Sequence, residues 1–258
     1  MCIRDSYTDV DLGWCDSPID PPFEEVILRE NANTRVKRDR NGIICMEFKN
    51  NPDMSMPLWL EHPVKSRKDW EKIKWRFRPD SKGRLANLKK TLKRVGRKGE
   101  NREYPVEQRL CGGFMHLRNL FGLKGICIAM YKDPDLVHEI MQNWLDINKY
   151  VLRKVLEAID LDGVWIAEDI CSKHGPLISP KMYRSFLTPY YKELTNFLKS
   201  YGDVKVQYDT DGNLALITPL VIEWGCDALD PFEVAAGNDV VAARKRYGNA
   251  IAFYGGID

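Results

Sequence analysis

Gly163-Val-Trp-Ile-Ala-Glu-Asp169 and Val204-Lys-Val-Gln-Tyr-Asp-Thr-Asp-Gly212 decide how the chain is read. Each is a short strand-like run that stops on carboxylates, and Gly163 to Ala167 shows no alternation between apolar and polar residues. Strands covered on both faces have that pattern, which is typical of parallel sheets. Between the two runs, Ser179-Pro180 supplies a helix cap followed by proline at the first helical position, and Pro189 must kink or divide the helix. Upstream, Asp133-Pro134 opens another helix, with Val137, Ile140, Met141, Trp144, Leu145, Val151 and Val155 as its apolar stripe.

The alternation continues downstream. Leu214 to Trp224 reads as a helix closed by Gly225, Asp227 to Asp230 as a strand, Asp239 to Tyr247 as a helix, and Ala250 to Tyr254 as a strand. Tyr104 to Phe114 contains one more strand. Strands separated by helices imply parallel βα units, because a parallel pair needs a crossover. A doubly wound sheet usually carries a glycine-rich phosphate turn after its first strand, and none is present. The expected fold is therefore α/β: a TIM-type (β/α)8 barrel, cut at both ends, in one domain over residues 1–258. Residues 104–258 hold the barrel units. Residues 1–103 hold a hairpin over Val36 to Phe48, turned at Asp39-Arg-Asn-Gly42, then two basic helices at Lys68–Trp75 and Ser81–Arg97. The first six residues fit none of this and read as translated adapter.

The composition, 44% apolar and 29% charged over 258 residues, is that of a globular chain and argues against disorder. No apolar run approaches the length of a membrane span, and no signal-peptide core is seen. The seven cysteines (2, 15, 45, 111, 127, 171, 226) form no CxxC pair, so reduced thiols in a cytoplasmic protein are expected. The net charge of +2 hides an uneven distribution. Lys65 to Arg102 carries sixteen basic residues against four acidic ones, leaving the remainder strongly acidic. Leu85, Leu88, Leu92 and Val95 recur among those cations at helical spacing, so the segment reads as a solvated helical face. No nucleic-acid motif accompanies it, and neither a nucleic-acid nor a membrane partner is expected.

In a barrel, chemistry belongs at the C-terminal ends of the strands. Four successive ends are acidic: Glu168-Asp169, Asp209-Thr-Asp211, Asp230-Pro-Phe-Glu233 and Asp258. Crowded carboxylates raise one another's pKa, so some stay protonated near neutrality and serve as acids. Glu168, Asp169, Asp209 and Asp211 are the catalytic candidates, with His174 as a proton carrier. Arg118, Lys173, Gly112, Gly113, Gly212 and Glu233 are the substrate-binding candidates. The glycines admit close approach of a ligand, and the cations pair with an anion. No spacing identifies a metal. His62, His116 and His138 read as structural, and a Cys171–His174 nucleophile lacks any oxyanion-hole motif.

Glu168-Asp-Ile-Cys-Ser-Lys-His-Gly-Pro-Leu-Ile-Ser-Pro180, with Tyr183, Phe186 and Pro189-Tyr190, resembles the loop and helix of the uroporphyrinogen decarboxylase superfamily. Asp211-Gly-Asn213, Glu223-Trp-Gly225, Asp230-Pro-Phe-Glu233 and Tyr254-Gly-Gly-Ile-Asp258 follow in that superfamily's order. The resemblance implies a (β/α)8 barrel and one of two chemistries. One is cofactor-free decarboxylation of a tetrapyrrole, with Asp209, Asp211 or Glu168 as general acid and Lys173, His174 or Arg118 on the substrate carboxylate. The other is methyl transfer between a corrinoid protein and a zinc-held thiol. Zinc in those methyltransferases is bound through His-x-Cys at the place where this chain has Asp209-Thr-Asp211. A small-molecule substrate without a cofactor is therefore expected, with corrinoid and zinc as the alternative and a homodimer as the oligomer. A third reading is a non-catalytic barrel that binds a polyanionic partner.

Overall fold

The computed structural model describes residues 8–10, 18–50 and 56–257; Cys2, Cys15 and Asp258 lie outside them. One sheet is wholly parallel: β1 (Thr8–Val10), β6 (Val106–Cys111), β7 (Gly163–Ala167), β10 (Lys205–Asp209), β11 (Ala228–Phe232) and β12 (Ala252–Gly255). Each strand pairs with its predecessor in that list, without the reversal of order that marks a doubly wound sheet. β1 joins the sheet from well before residue 104, so the sheet draws strands from both sides of position 103/104.

The crossovers are α3 (Gly113–Lys132) with α4 (Pro134–Ala158), α5 (Pro180–Phe186) with α6 (Thr188–Lys199), α7 (Thr218–Trp224), and α8 (Val240–Tyr247). Their ends form where the caps predict. Asp133 accepts from the Leu136 N–H at 3.1 Å and Ser179 from that of Met182 at 3.2 Å. Pro189 separates α5 from α6, and Gly225 in the left-handed region ends α7. Every residue of the α4 stripe is buried.

The apolar stripe of α3 comes in two pieces, Phe114, Leu117, Leu120 and Phe121 before Gly122 and Ile126 and Met130 after it, so no single helical period runs through the segment. It breaks at Gly122, where φ is +72° and the His62 ring lies 2.7 Å from the position a Cβ would take. That ring donates through Nδ1 to the Asn119 carbonyl at 3.0 Å, a structural role as expected.

Side chains alternate across a strand, and here one face is buried and the other open. Val106, Leu110, Val164, Ile166, Val206 and Tyr208 pack under the helices. Glu107, Arg109, Trp165, Ala167, Gln207 and Asp209 stand on the opposite face, half-buried or exposed. The expectation that β7 is covered on both faces is thus corrected, since Trp165 and Ala167 remain partly open.

The expected hairpin is present as β3 (Thr34–Arg38) and β4 (Ile44–Phe48), but β2 (Val26–Glu30) and β5 (Leu58–Glu61) extend it to a four-stranded antiparallel sheet. Of the two basic helices, α1 (Arg67–Ile73) continues as a 3-10 turn to Phe77, and α2 is confined to Leu88–Val95. The segment before α2 is irregular because Arg84 is buried there. Its guanidinium donates to the carbonyls of Arg78, Pro18 and Arg76 at 2.8, 2.6 and 3.3 Å, bonds that hold three stretches of loop together. Several of the other cations are already paired: Arg67 with Asp133 and Glu139, Lys74 with Glu139, and Arg102 with Asp162.

Replacing Arg84 with Met leaves the Pro18 carbonyl without its donor and takes one of two donors from the carbonyls of Arg76 and Arg78, which keep the N–H groups of Asp20 and Ser81; a buried group left unpaired costs about 1–3 kcal/mol. The variant is expected to lose about 3 kcal/mol of stability, read from urea unfolding of the two proteins side by side.

Candidate active site

The strand ends separate the predicted residues onto two sides of the sheet. Glu168 lies on the helix side and is only 1% exposed. Its carboxylate accepts the Phe114 N–H at 3.0 Å, the Met115 N–H and the Tyr191 hydroxyl. Tyr191 Oη in turn accepts the Gly113 N–H at 2.7 Å. The otherwise unpaired donors of the first turn of α3 are thereby satisfied, and a carboxyl group sits at the positive end of the helix. Burial pushes Glu168 up to about 7 against the pull of those hydrogen bonds and of Arg118.

Gly112 and Gly113 do admit a close approach, but what approaches is the protein itself. A Cβ on Gly112 would stand 2.6 Å from the Glu168 carboxyl, and one on Gly113 2.6 Å from Met141 Cε. The helix N-terminus is filled by the chain's own carboxylate. Arg118 is likewise engaged, donating to Asp169 Oδ2 at 2.6 Å and to the Asp169 carbonyl at 3.0 Å.

On the open side, the register places Ala167, Asp209 and Asp230 abreast. Burial pushes Asp209 up to about 7, and the negative charges of Asp230, Asp211 and Asp169 add to the rise while Arg109 opposes it. Asp211 is raised by burial first and then by Glu233, Asp169 and Asp230. Asp169, Asp209, Asp211, Asp230 and Glu233 therefore share one electrostatic neighbourhood, and Glu168 stands apart from it.

The rim is tied by short bonds. Gly212 N–H donates to Glu233 Oε2 at 2.6 Å. Asn238 donates to the carbonyls of Gly212 and Glu233, both at 2.9 Å, and accepts the Leu214 N–H at 2.9 Å. At Gly212 φ is +94°, and a Cβ there would meet the Ser172 backbone at 2.6 Å. That contact seats a small hairpin, β8 (Cys171–Ser172) and β9 (Gly175–Pro176), whose exposed tip carries Lys173 and His174. A cleft of about 340 Å³ opens between Cys171, Ser172, Lys173, Asp211, Gly212 and Glu233.

Two open-face residues escaped pattern reading. Glu107 is pushed up to about 7, chiefly by burial, and its carboxyl lies 2.8 Å from where a Gly163 Cβ would be. Arg109 holds its guanidinium carbon 4.5 Å from the centre of the Trp165 ring. Both sit mid-strand, where residue type alone does not tell the open face from the covered one.

The donors at the end of β10 are oxygens. Burial pushes the neighbouring Cys171 thiol up to about 12, and His174 lies at the exposed hairpin tip. Thiolate and imidazole suit zinc, and this set does not match them. Among the described residues no three His, Cys, Asp or Glu side chains gather closely enough to hold a metal ion.

The uroporphyrinogen decarboxylase (URO-D) family profile matches residues 47–258. The chain belongs to that family. A stretch of 132 residues, half of the chain, is 30% identical to a uroporphyrinogen decarboxylase of Sulfurovum sp. (strain NBC37-1) and covers 35% of that protein's length. The fold is similar to that of a methyltransferase from Methanosarcina mazei, with a TM-score of 0.51 at 16% identity, over 76% of this chain and 55% of the other. At that identity the likeness concerns the fold alone. No helix among the described residues is long and apolar enough to cross a membrane.

Two measurements test this electrostatic arrangement. Glu168→Leu strips the acceptor from two buried backbone N–H groups and is expected to cost about 3 kcal/mol in urea unfolding, whereas Glu168→Gln loses less. Glu107, Glu168 and Asp209 all have raised pKa values. The folded protein keeps protons that the unfolded chain releases above about pH 4. Their contribution to stability is complete below that pH and is lost as pH rises through about 7. The urea midpoint should fall between pH 5 and 8, and Asp209→Asn should shrink the fall.

Proposed function

We propose that the chain carries cofactor-free decarboxylase chemistry of the uroporphyrinogen type, with Asp209 as the general acid. The observation that supports this most is the position of Asp209. It stands at a strand end, half-buried and crowded by three other carboxyl groups, and is pushed up to about 7. A carboxyl group with that pKa is protonated often enough at neutral pH to donate, and its conjugate base is readily reprotonated by water.

In the proposed step the bond between a substrate carbon and its carboxylate breaks and carbon dioxide leaves. The electron pair stays on the carbon and takes the proton of Asp209, which is restored from solvent. Asp211, Glu233 and Lys173 border the cleft proposed to admit the substrate, and His174 stands beside Lys173 at the exposed hairpin tip, where the two would meet its outer carboxylates. Glu168 acts behind the sheet by holding the start of α3. Corrinoid-linked methyl transfer, the other chemistry of the superfamily, relies on soft zinc ligands, and the oxygens of Asp209, Thr210 and Asp211 stand in their place.

The protein is expected to release carbon dioxide from uroporphyrinogen, with kcat falling as pH rises through about 7, where Asp209 loses its proton. Asp209→Asn should lower kcat by at least a hundredfold, the range of general acid catalysis. Turnover at the wild-type rate in that variant would discard Asp209 as the acid. No release by the wild-type protein would discard the decarboxylase reading.

A further inference from the structure

The antiparallel sheet of β2, β3, β4 and β5 takes no part in the acidic strand ends. It keeps a small core of its own. Val36, Ile43 and Cys45 are buried, yet among the described residues they stand outside the continuous core packed under β6 and β7. An isolated sheet gains stability from an apolar face that is covered. Here Phe48, Met56, Leu58, Trp59 and Leu60, on β5 and beside it, are each between 43% and 56% exposed. Single apolar residues on a surface are ordinary, whereas a contiguous set marks a contact.

The two edges of the sheet differ. β2 carries Arg29 and Glu30 beside its exposed Ile27 and Leu28, and charge on an open edge discourages pairing. β5 reads Leu58-Trp59-Leu60-Glu61 and is exposed throughout. Its one charge, Glu61, is held by Lys65 at 2.8 Å. It is the last strand of its sheet, so Leu58, Trp59 and Leu60 present backbone groups along an uncharged edge.

We propose that β5 pairs with β5 of a second copy of this chain across a two-fold axis at Trp59, joining two four-stranded sheets into one. An antiparallel pair about that axis sets Leu58 opposite Leu60 of the other copy and Trp59 opposite itself. A two-fold contact brings a patch against its own copy. The acidic strand ends and the basic face of α2 would each repel themselves in such a contact, and the uncharged stretch of β5 does not. The area fits as well. Large apolar side chains present roughly 200 Å² each when open, so five at half exposure offer about 500 Å² per copy. That is close to the apolar share of the roughly 800 Å² per partner in a stable interface. A strand from a different protein is the other occupant such an edge admits. No charge along Leu58 to Leu60 selects one, whereas the match of the edge to itself is built into the sequence.

Light scattering on the purified chain at micromolar concentration should give twice the mass of one chain. Trp59→Lys and Trp59→Glu each set like charges together at the axis and should give monomers with an unchanged far-ultraviolet circular dichroism spectrum. Mixing the two variants should restore the dimer, because the axis then brings a cation against an anion. If either variant does not fold, amide hydrogen exchange on the wild-type protein takes its place. Protection along Leu58 to Leu60 should fall at least tenfold on dilution, and that of β2 should not. A monomeric wild type overturns the proposal and leaves the edge to a different protein. A dimer that survives both variants, a mixture that stays monomeric, or exchange at β5 that ignores concentration overturns it too.

Discussion

The carboxyl group of Glu168, at the end of β7, joins the start of α3 to α6 through Phe114, Met115 and Tyr191. A parallel strand that ends beneath the start of the next helix leaves backbone N–H groups pointing at whatever lies there. Here they point at a buried acid, itself braced by Tyr191. Tyr191 stacks on Trp224 with ring centres 5.1 Å apart and meets Tyr208 edge-on at 5.6 Å. The anchor therefore runs from the start of α3 through α6 to α7 and β10. The open-face residues keep their places because this layer behind them is fixed. Adjacent residues of one strand end part ways: Glu168 turns in to the start of α3, and Asp169 turns out to pair with Arg118.

On the open face the charges hold one another in check. Asp209 rises toward neutral pH because it is half-buried beside Asp230, Asp211 and Asp169, and Arg109 limits that rise. Asp230 accepts from both Trp165 and Gln207, which fixes its carboxyl group beside Asp209.

Much of the architecture was legible because its signals are local. Asp133-Pro134 and Ser179-Pro180 cap helices by hydrogen bonds within three residues, Asn41-Gly42 turns a hairpin, and Pro189 divides a helix. α3 was not legible. Its apolar stripe is broken into two pieces at Gly122, which interrupts the helix to make room for His62 from sixty residues earlier. β1 is three residues long and gains its partner only across the chain, from β6. The irregular stretch before α2 was misread as helix because its leucine spacing is helical, while Arg84 drew it into three loop carbonyls instead.

The site divides in the same way. The sequence by itself determined that acidic residues end successive parallel strands, because strand length and helix caps are short-range properties. Side-chain parity and packing decided the rest. Only the assembled sheet turned Glu168 toward the helices, bound Arg118 to Asp169, closed Gly112 and Gly113 around the chain's own carboxyl, and set Arg109 over Trp165 on the open face. Those outcomes depend on which residues of neighbouring strands stand abreast, a matter of long-range register that no single segment encodes.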